Sequence, residues 1–289
     1  VARDGRDETR APESTRLVER PAVSDERRPT VPMDRVTLRP GPEREPIQHR
    51  DKTYRLRDAD IRLLAAVGTF RVIRADDLQA MRSSRDVWNG DLRHLQEQGL
   101  LESKTVTINR ELTAVVVLTR DGKSLLDAHQ DRADQGRPQI FHAGLVKPRE
   151  LAHDAQLHRL FQAEASRIEA AGGRVTRVAL DYELKRDYQT FLNRSDRPGD
   201  VTHEDDLATF AAQHELPIVD GHLELPDLRI EYEGANGDAL HRDVELVTEH
   251  YSRAQLAGKA QAGFALYRAA GASRRGGTPI DPHHLEWIG

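Results

Sequence analysis

Residues 224–247, ELPDLRIEYEGANGDALHRDVELV, read as two strands joined by a tight turn. Glu224 to Tyr232 forms the first strand, Gly234 to Asp238 carries the Gly, Asn and Asp that turns require, and Leu240 to Val247 returns. The pairing puts Asp227 at a strand start and Glu245 on the adjacent strand, so two carboxylates come within reach of one cation.

Working outward, Ser252 caps an expected helix from Arg253 to Ala269 ending at Gly271, and a final short strand is expected near Leu285 to Ile288. Upstream, Glu150 to Ala171 has the helical period, with Leu151, Leu157, Phe161, Ala165 and Ile168 on its inner side, and Gly172-Gly173 ends it. Val175 to Leu184 alternates like a strand, with Val178, Leu180, Tyr182 and Leu184 on one face. The polar stretch 186–217 reads as an insertion with one helix around Asp205 to Gln213. Helix, strand, hairpin, helix, strand builds a mixed sheet flanked by helices, over residues 145–289.

Residues 53–130 show a different pattern. Asp58 reads as the N-cap of a helix through Val67 that buries Ile61, Leu64 and Ala65. A short helix follows from Arg74, and Ser83-Ser84 caps a third, Arg85 to Gln98, that stops at Gly99. Lys104 to Ile108 and Leu112 to Leu118 form a β-rich hairpin about Asn109-Arg110, and a last helix runs from Lys123 to His129. This order resembles a winged helix-turn-helix, in which the third helix lies in the major groove and the hairpin follows the backbone. Arg82, Arg85, Asn89 and Arg93 would line the recognition face, with Lys104 and Arg110 on the wing; Arg and Asn suit bidentate contacts with guanine and adenine edges. Asp86 and Asp91 interrupt that basic face.

The charge divides along the same line. The chain has 43 Lys+Arg against 48 Asp+Glu, a net of −5, which excludes a polycation that binds nucleic acid by bulk charge. Residues 54–127 hold 12 basic and 11 acidic residues, a net of +1, and residues 129–289 hold 19 and 26, a net of −7. Residues 1–50 carry 11 Arg, 10 acidic residues and 7 of the 14 prolines with no apolar period, so residues 1–52 are expected to be a disordered polyampholyte tail. Cysteine is absent, which excludes a disulfide framework, a thiolate zinc site and a Cys nucleophile. The longest apolar runs, such as Val115 to Leu118, fall far below the roughly 20 residues of a bilayer span. A soluble cytoplasmic protein with no membrane partner is expected. The 13 histidines show no ligand spacing, and no zinc site is expected of His153, His158, His241, His250 or His283-His284.

With Pro226-Asp227, Glu245-Leu246-Val247 and Lys259, the second domain resembles the PD-(D/E)xK nuclease superfamily. From about residue 54 onward, the chain resembles the plasmid replication-relaxation family, through Glu150-Leu151-Ala152-His153-Asp154 and the Glu245 to Tyr267 stretch. The resemblance implies an α+β protein: an N-terminal winged helix domain followed by an α/β PD-(D/E)xK-like domain with a mixed central sheet. It implies Mg²⁺ on Asp227 and Glu245, with a lysine to orient water or stabilise charge on the phosphate. The usual motif lysine lies two residues after the glutamate, where this chain has Val247; Lys259 on the next helix is the candidate replacement, and Asp243, Glu249 or Glu164 could add a carboxylate.

Three functions are therefore open: a plasmid or mobile-element protein that binds duplex DNA and carries a degenerate nuclease-like domain; an active Mg²⁺-dependent endonuclease using Asp227, Glu245 and Lys259; or a regulator whose acidic second domain binds a protein. A homodimer is compatible with each, since winged helices often pair.

Overall fold

The computed structural model describes residues 36–38, 40–79, 85–108, 110–130, 137–145, 147–194, 201–248, 251–268 and 278–279. The fold is mixed α+β. Strands β1 (Glu45–His49) and β2 (Lys52–Leu56) form an antiparallel hairpin that turns through Arg50 at φ 54°. Helix α1 (Asp58–Thr69), strand β3 (Ile73–Arg74), helices α2 (Ala75–Gln79) and α3 (Arg85–Glu97), strands β4 (Leu101–Ile108) and β5 (Glu111–Leu118) and helix α4 (Arg120–Ala128) complete the first half. Its sheet has the order β3-β5-β4, all antiparallel. Gly99 follows α3 at φ 73°, a left-handed position where glycine lacks the Cβ clash.

The second half runs α5 (Pro148–Ala170), β6 (Arg174–Leu180), α6 (Asp181–Leu192), α7 (His203–His214), the small pair β7 (Ile218–Val219) and β8 (His222–Leu223), then β9 (Leu228–Glu233), β10 (Ala239–Val247), α8 (Arg253–Gln261), β11 (Ala265–Arg268) and β12 (Thr278–Pro279). The main sheet has the order β12-β11-β10-β9-β6, and within it β10 and β11 are the parallel neighbours. The edge of β6 is covered by a side chain: the Gln139 amide donates to the Val178 carbonyl (2.9 Å) and accepts from the Val178 N–H (3.0 Å), as a neighbouring strand would.

Several expectations need correction. The first half begins before residue 53: Val36 is fully buried and bridges Gln130, and Tyr54 and Leu56 of the β1–β2 hairpin enter the core. So few apolar side chains among prolines and charges leave no period to read. Residues 1–35 lie outside the described residues. Asp58 is the first residue of α1 rather than its cap; the Asp60 carboxylate instead accepts the Arg57 N–H (3.1 Å) and pairs with Arg44 (3.0 Å). The strand expected to reach Leu184 ends at Leu180, because Asp181 and Glu183 suit the first turn of a helix, where the dipole favours acidic side chains. The stretch 186–217 holds the end of α6 as well as the expected helix, α7, and Leu184, Phe210 and Leu216 form a small cluster of their own.

The helix expected to reach Ala269 stops at Gln261. Gly263 at φ 81° reverses the chain, and Phe264, Leu266 and Tyr267 are buried on or beside strand β11. The strand expected near residues 285–288 and the Ser83-Ser84 cap lie outside the described residues. Among the described residues, no helix is long and apolar enough to cross a membrane.

The two halves share one core, and α5 is the reason. Leu157, Leu160, Phe161 and Ala165 belong to a cluster that holds Ile61, Leu64, Phe70 and Phe141 from one side and Val178, Ile230 and Leu246 from the other. Near the start of α5, Leu151 and Ala155 pack on Val72, Val115 and Val117. Charges reinforce the seam: Arg159 binds both oxygens of Asp77 (2.9 and 2.8 Å). His158 is fully buried with its ring edge-on to Phe70 (5.2 Å), and burial, with the Arg159 charge beside it, pushes it down to about 3, so it is neutral.

Phe161→Ala should cost about 3–5 kcal/mol and lower the stability of both halves in a single calorimetric transition. Two separate transitions, one unchanged by the substitution, would contradict a shared core.

Candidate active site

The β9–β10 register decides where the carboxylates meet. Val244 pairs with Leu228, so Glu245 stands across from Asp227, the residue just before β9. The two are tied reciprocally through backbone groups: the Asp227 N–H donates to Glu245 Oε2 (3.2 Å), and the Leu246 N–H donates to Asp227 Oδ2 (2.8 Å). Glu245 is buried, and burial first, with the Asp227 charge second, pushes it up to about 7, against the opposing pull of Lys259 and the Tyr251 hydroxyl.

Lys259 reaches this pair from α8. Its ammonium contacts Glu245 Oε1 (3.2 Å) and Glu224 Oε2 (3.1 Å) and donates to the Leu225 carbonyl (2.7 Å). An ammonium has three donors, and these contacts use all of them. Val247, at the position where the usual motif has lysine, packs with Phe264 and Leu266 against Tyr251, Leu256 and Ala260. The strand position thus docks the helix that brings the amine.

Two side chains join the site that sequence reasoning missed. Tyr251 donates to Glu245 Oε1 (2.6 Å), and burial, then the Glu245 charge, holds its phenol well above the usual range. His153, expected to be a surface or partly buried residue outside any site, contacts Asp227 Oδ2 through Nε2 and Asp154 Oδ1 through Nδ1, both at 3.2 Å. Burial alone would lower it, but hydrogen bonds with Asp154 and Asp227 outweigh burial and push it up to about 10. The signal for His153 was its place in the Glu150 to Asp154 stretch that carries the resemblance, in the first turns of α5; no periodicity marks it.

Other candidates lie elsewhere. Asp243 holds Arg229 through both oxygens (2.7 Å each), and Arg229 also donates to the Glu215 carbonyl (3.1 Å), which braces β9 and β10 against the end of α7. Glu164 accepts from Tyr267 and Arg167 and faces Arg242 (3.4 Å), away from Glu245. His241 sits between Glu215 (3.3 Å) and Asp243 (3.7 Å). Glu249, His250 and His283-His284 lie outside the described residues. Among the described residues, no group of three or more His, Asp or Glu forms a complete metal cage.

On the first half, Arg93 is exposed on α3, Arg110 is exposed at the β4–β5 turn with φ 69°, and Lys104 is half-buried beside Glu102 (3.3 Å). Arg82 and the side chains of Arg85, Asp86 and Asn89 lie outside the description. Asp91 does not interrupt the exposed face: it is buried, paired with Arg57 (2.6 Å) and Arg44 (3.0 Å).

No family model, curated protein or solved structure matches the chain.

A carboxyl raised on folding favours the folded state only while protonated. The Glu245 contribution is therefore present below about pH 4.5 and lost as pH rises through about 7. Glu245→Gln should resist denaturant better than wild type at pH 8 relative to pH 5, with chelator present; equal pH dependence of the two proteins would contradict it.

Proposed function

We propose that the chain is a DNA-binding, metal-dependent phosphodiester hydrolase, with the first half a winged helix-turn-helix that contacts duplex DNA and the second a PD-(D/E)xK-like nuclease domain. The observation that carries this is the placement of Asp227 across from Glu245, with the Asp227 N–H 3.2 Å from Glu245 Oε2 and the Lys259 amine 3.2 Å from Glu245 Oε1. The order α5, β6, β9, β10, α8, β11 supports the domain assignment, since it runs helix, three antiparallel strands, helix, parallel strand. The order α1, β3, α2, α3, β4, β5 supports the first domain in the same way. A role in plasmid replication or mobilisation, and a cytoplasmic location, follow from the resemblance.

The donor set fits a hard divalent cation. Asp227 and Glu245 offer carboxylate oxygens, and Glu245 is raised by burial first and by the Asp227 charge second, both of which a cation would relieve. Mg²⁺ commonly takes one or two protein carboxylates and completes its shell with water and substrate phosphate. When bound, it would polarise the scissile phosphate and acidify a water.

The chain's own residues do the rest. Tyr251 holds the Glu245 carboxylate in place. Lys259 lies against Glu224 and Glu245; an ammonium that gives up its Glu224 contact gains a donor for the attacking water or for phosphate charge. Arg93 and Arg110 supply phosphate or base contacts, the former from the helix expected in the major groove.

Full-length protein with Mg²⁺ or Mn²⁺ should cleave DNA, and Asp227→Ala should abolish cleavage while leaving DNA affinity within about threefold, because affinity resides chiefly in phosphate contacts elsewhere. Binding without cleavage across DNA forms and both metals would leave a DNA-binding protein with a silent centre. Arg93→Ala should weaken binding and reduce the salt slope by about one; an unchanged affinity and slope would remove α3 from the interface.

A further inference from the structure

We infer, resting on the hydrolase reading above, that His153 is a positioning residue for the Asp227 carboxylate and that Arg71, from the first half of the chain, anchors it. Four side chains form an unbroken file. Arg71 Nη1 meets Asp154 Oδ2 at 3.1 Å, Asp154 Oδ1 meets His153 Nδ1 at 3.2 Å, and His153 Nε2 meets Asp227 Oδ2 at 3.2 Å. The imidazole is thus held between two carboxylates, one at each ring nitrogen.

At the far end, Asp227 Oδ2 also takes the Leu246 N–H (2.8 Å). Among the described residues, the contacts of this carboxylate, the Leu246 N–H and the His153 ring, fall on Oδ2, which leaves Oδ1 as the oxygen for a cation. At the near end, Arg71 lies between α1 and β3 in a left-handed conformation (φ 60°). Its guanidinium also meets Glu150 Oε2 (3.2 Å) and lies 5.5 Å from the Tyr182 ring centre. Partners one step behind a metal ligand fix its orientation, and removing them commonly costs 10–100-fold in metal affinity or activity. Beside the shared core, this file runs from the duplex-reading half to the hydrolytic centre through the His153 imidazole.

The test uses full-length protein, with Mn²⁺ affinity read by electron paramagnetic resonance, DNA affinity without metal, and a thermal melt of each variant. His153→Ala should weaken Mn²⁺ binding by about 10–100-fold with DNA affinity unchanged. His153→Gln, which keeps a donor within reach of Asp227, should restore most of it. Arg71→Ala should act in the same direction, and the double variant with His153→Ala should lose little more than His153→Ala alone, since the two act in series. His153→Gln and Arg71→Ala carry the test if His153→Ala does not fold.

Wild-type Mn²⁺ affinity in His153→Ala, equal loss in His153→Gln, or fully additive losses in the double variant would overturn the positioning role while leaving the hydrolase reading standing. A wild type that binds no Mn²⁺ would overturn both.

Discussion

Helix α5 has to bury apolar side chains on two sides at once, and the rest of the molecule is arranged around that requirement. A helix that covers one sheet needs a single apolar stripe, with its other face in water. Here Leu157, Leu160, Phe161 and Ala165 sit in a core fed from both halves of the chain, while Leu151 and Ala155 pack on the first-half sheet. The linkage is more than a tether between independent domains: it sets where His153 and Asp154 stand relative to the end of β9, and hence what the Asp227 carboxylate meets.

The second constraint is the register of β9 and β10. A one-residue slip would move Glu245 to the opposite face of the sheet and expose Val244 and Leu246, which the core holds. The same alternation sends Asp243 and Glu245 to one face with different tasks, Asp243 neutralised by Arg229 and Glu245 left partly uncompensated near Asp227. The contrast is one of environment rather than residue type. Asp243 is gripped by a guanidinium; Glu245, buried and facing a second carboxylate, is the one the proposed function uses.

Much of this was legible in the sequence, for physical reasons. The β9–β10 hairpin shows because its alternation and its Gly-Ala-Asn-Gly turn are local signals, and with it came Asp227 and Glu245. Lys259 was legible only as a resemblance, since nothing in its helix marks the direction of its amine. His153 and Tyr251 were missed because their roles arise from contacts across 74 and 6 residues, the second through a turn. The β1–β2 hairpin was hidden by its flanking charges, and α8 was drawn too long because an Ala- and Gly-containing run has no periodicity to show where Gly263 reverses the chain. Asp91 was misjudged in the opposite sense: on paper it opposes a basic face, in the fold it is withdrawn from it.

Placing the amine on α8 rather than on β10 has a mechanical consequence. A lysine on the strand would be indexed to the carboxylates by backbone hydrogen bonds, a ruler with fixed graduations. Lys259 is indexed instead by its contacts with Glu224, Glu245 and the Leu225 carbonyl and by how α8 seats on Val247, Phe264 and Leu266, an apolar fit that can shift by fractions of an ångström as side-chain volumes change. The distance between the charge and the carboxylates thereby becomes a continuously adjustable quantity, governed in part by residues that have no chemistry of their own.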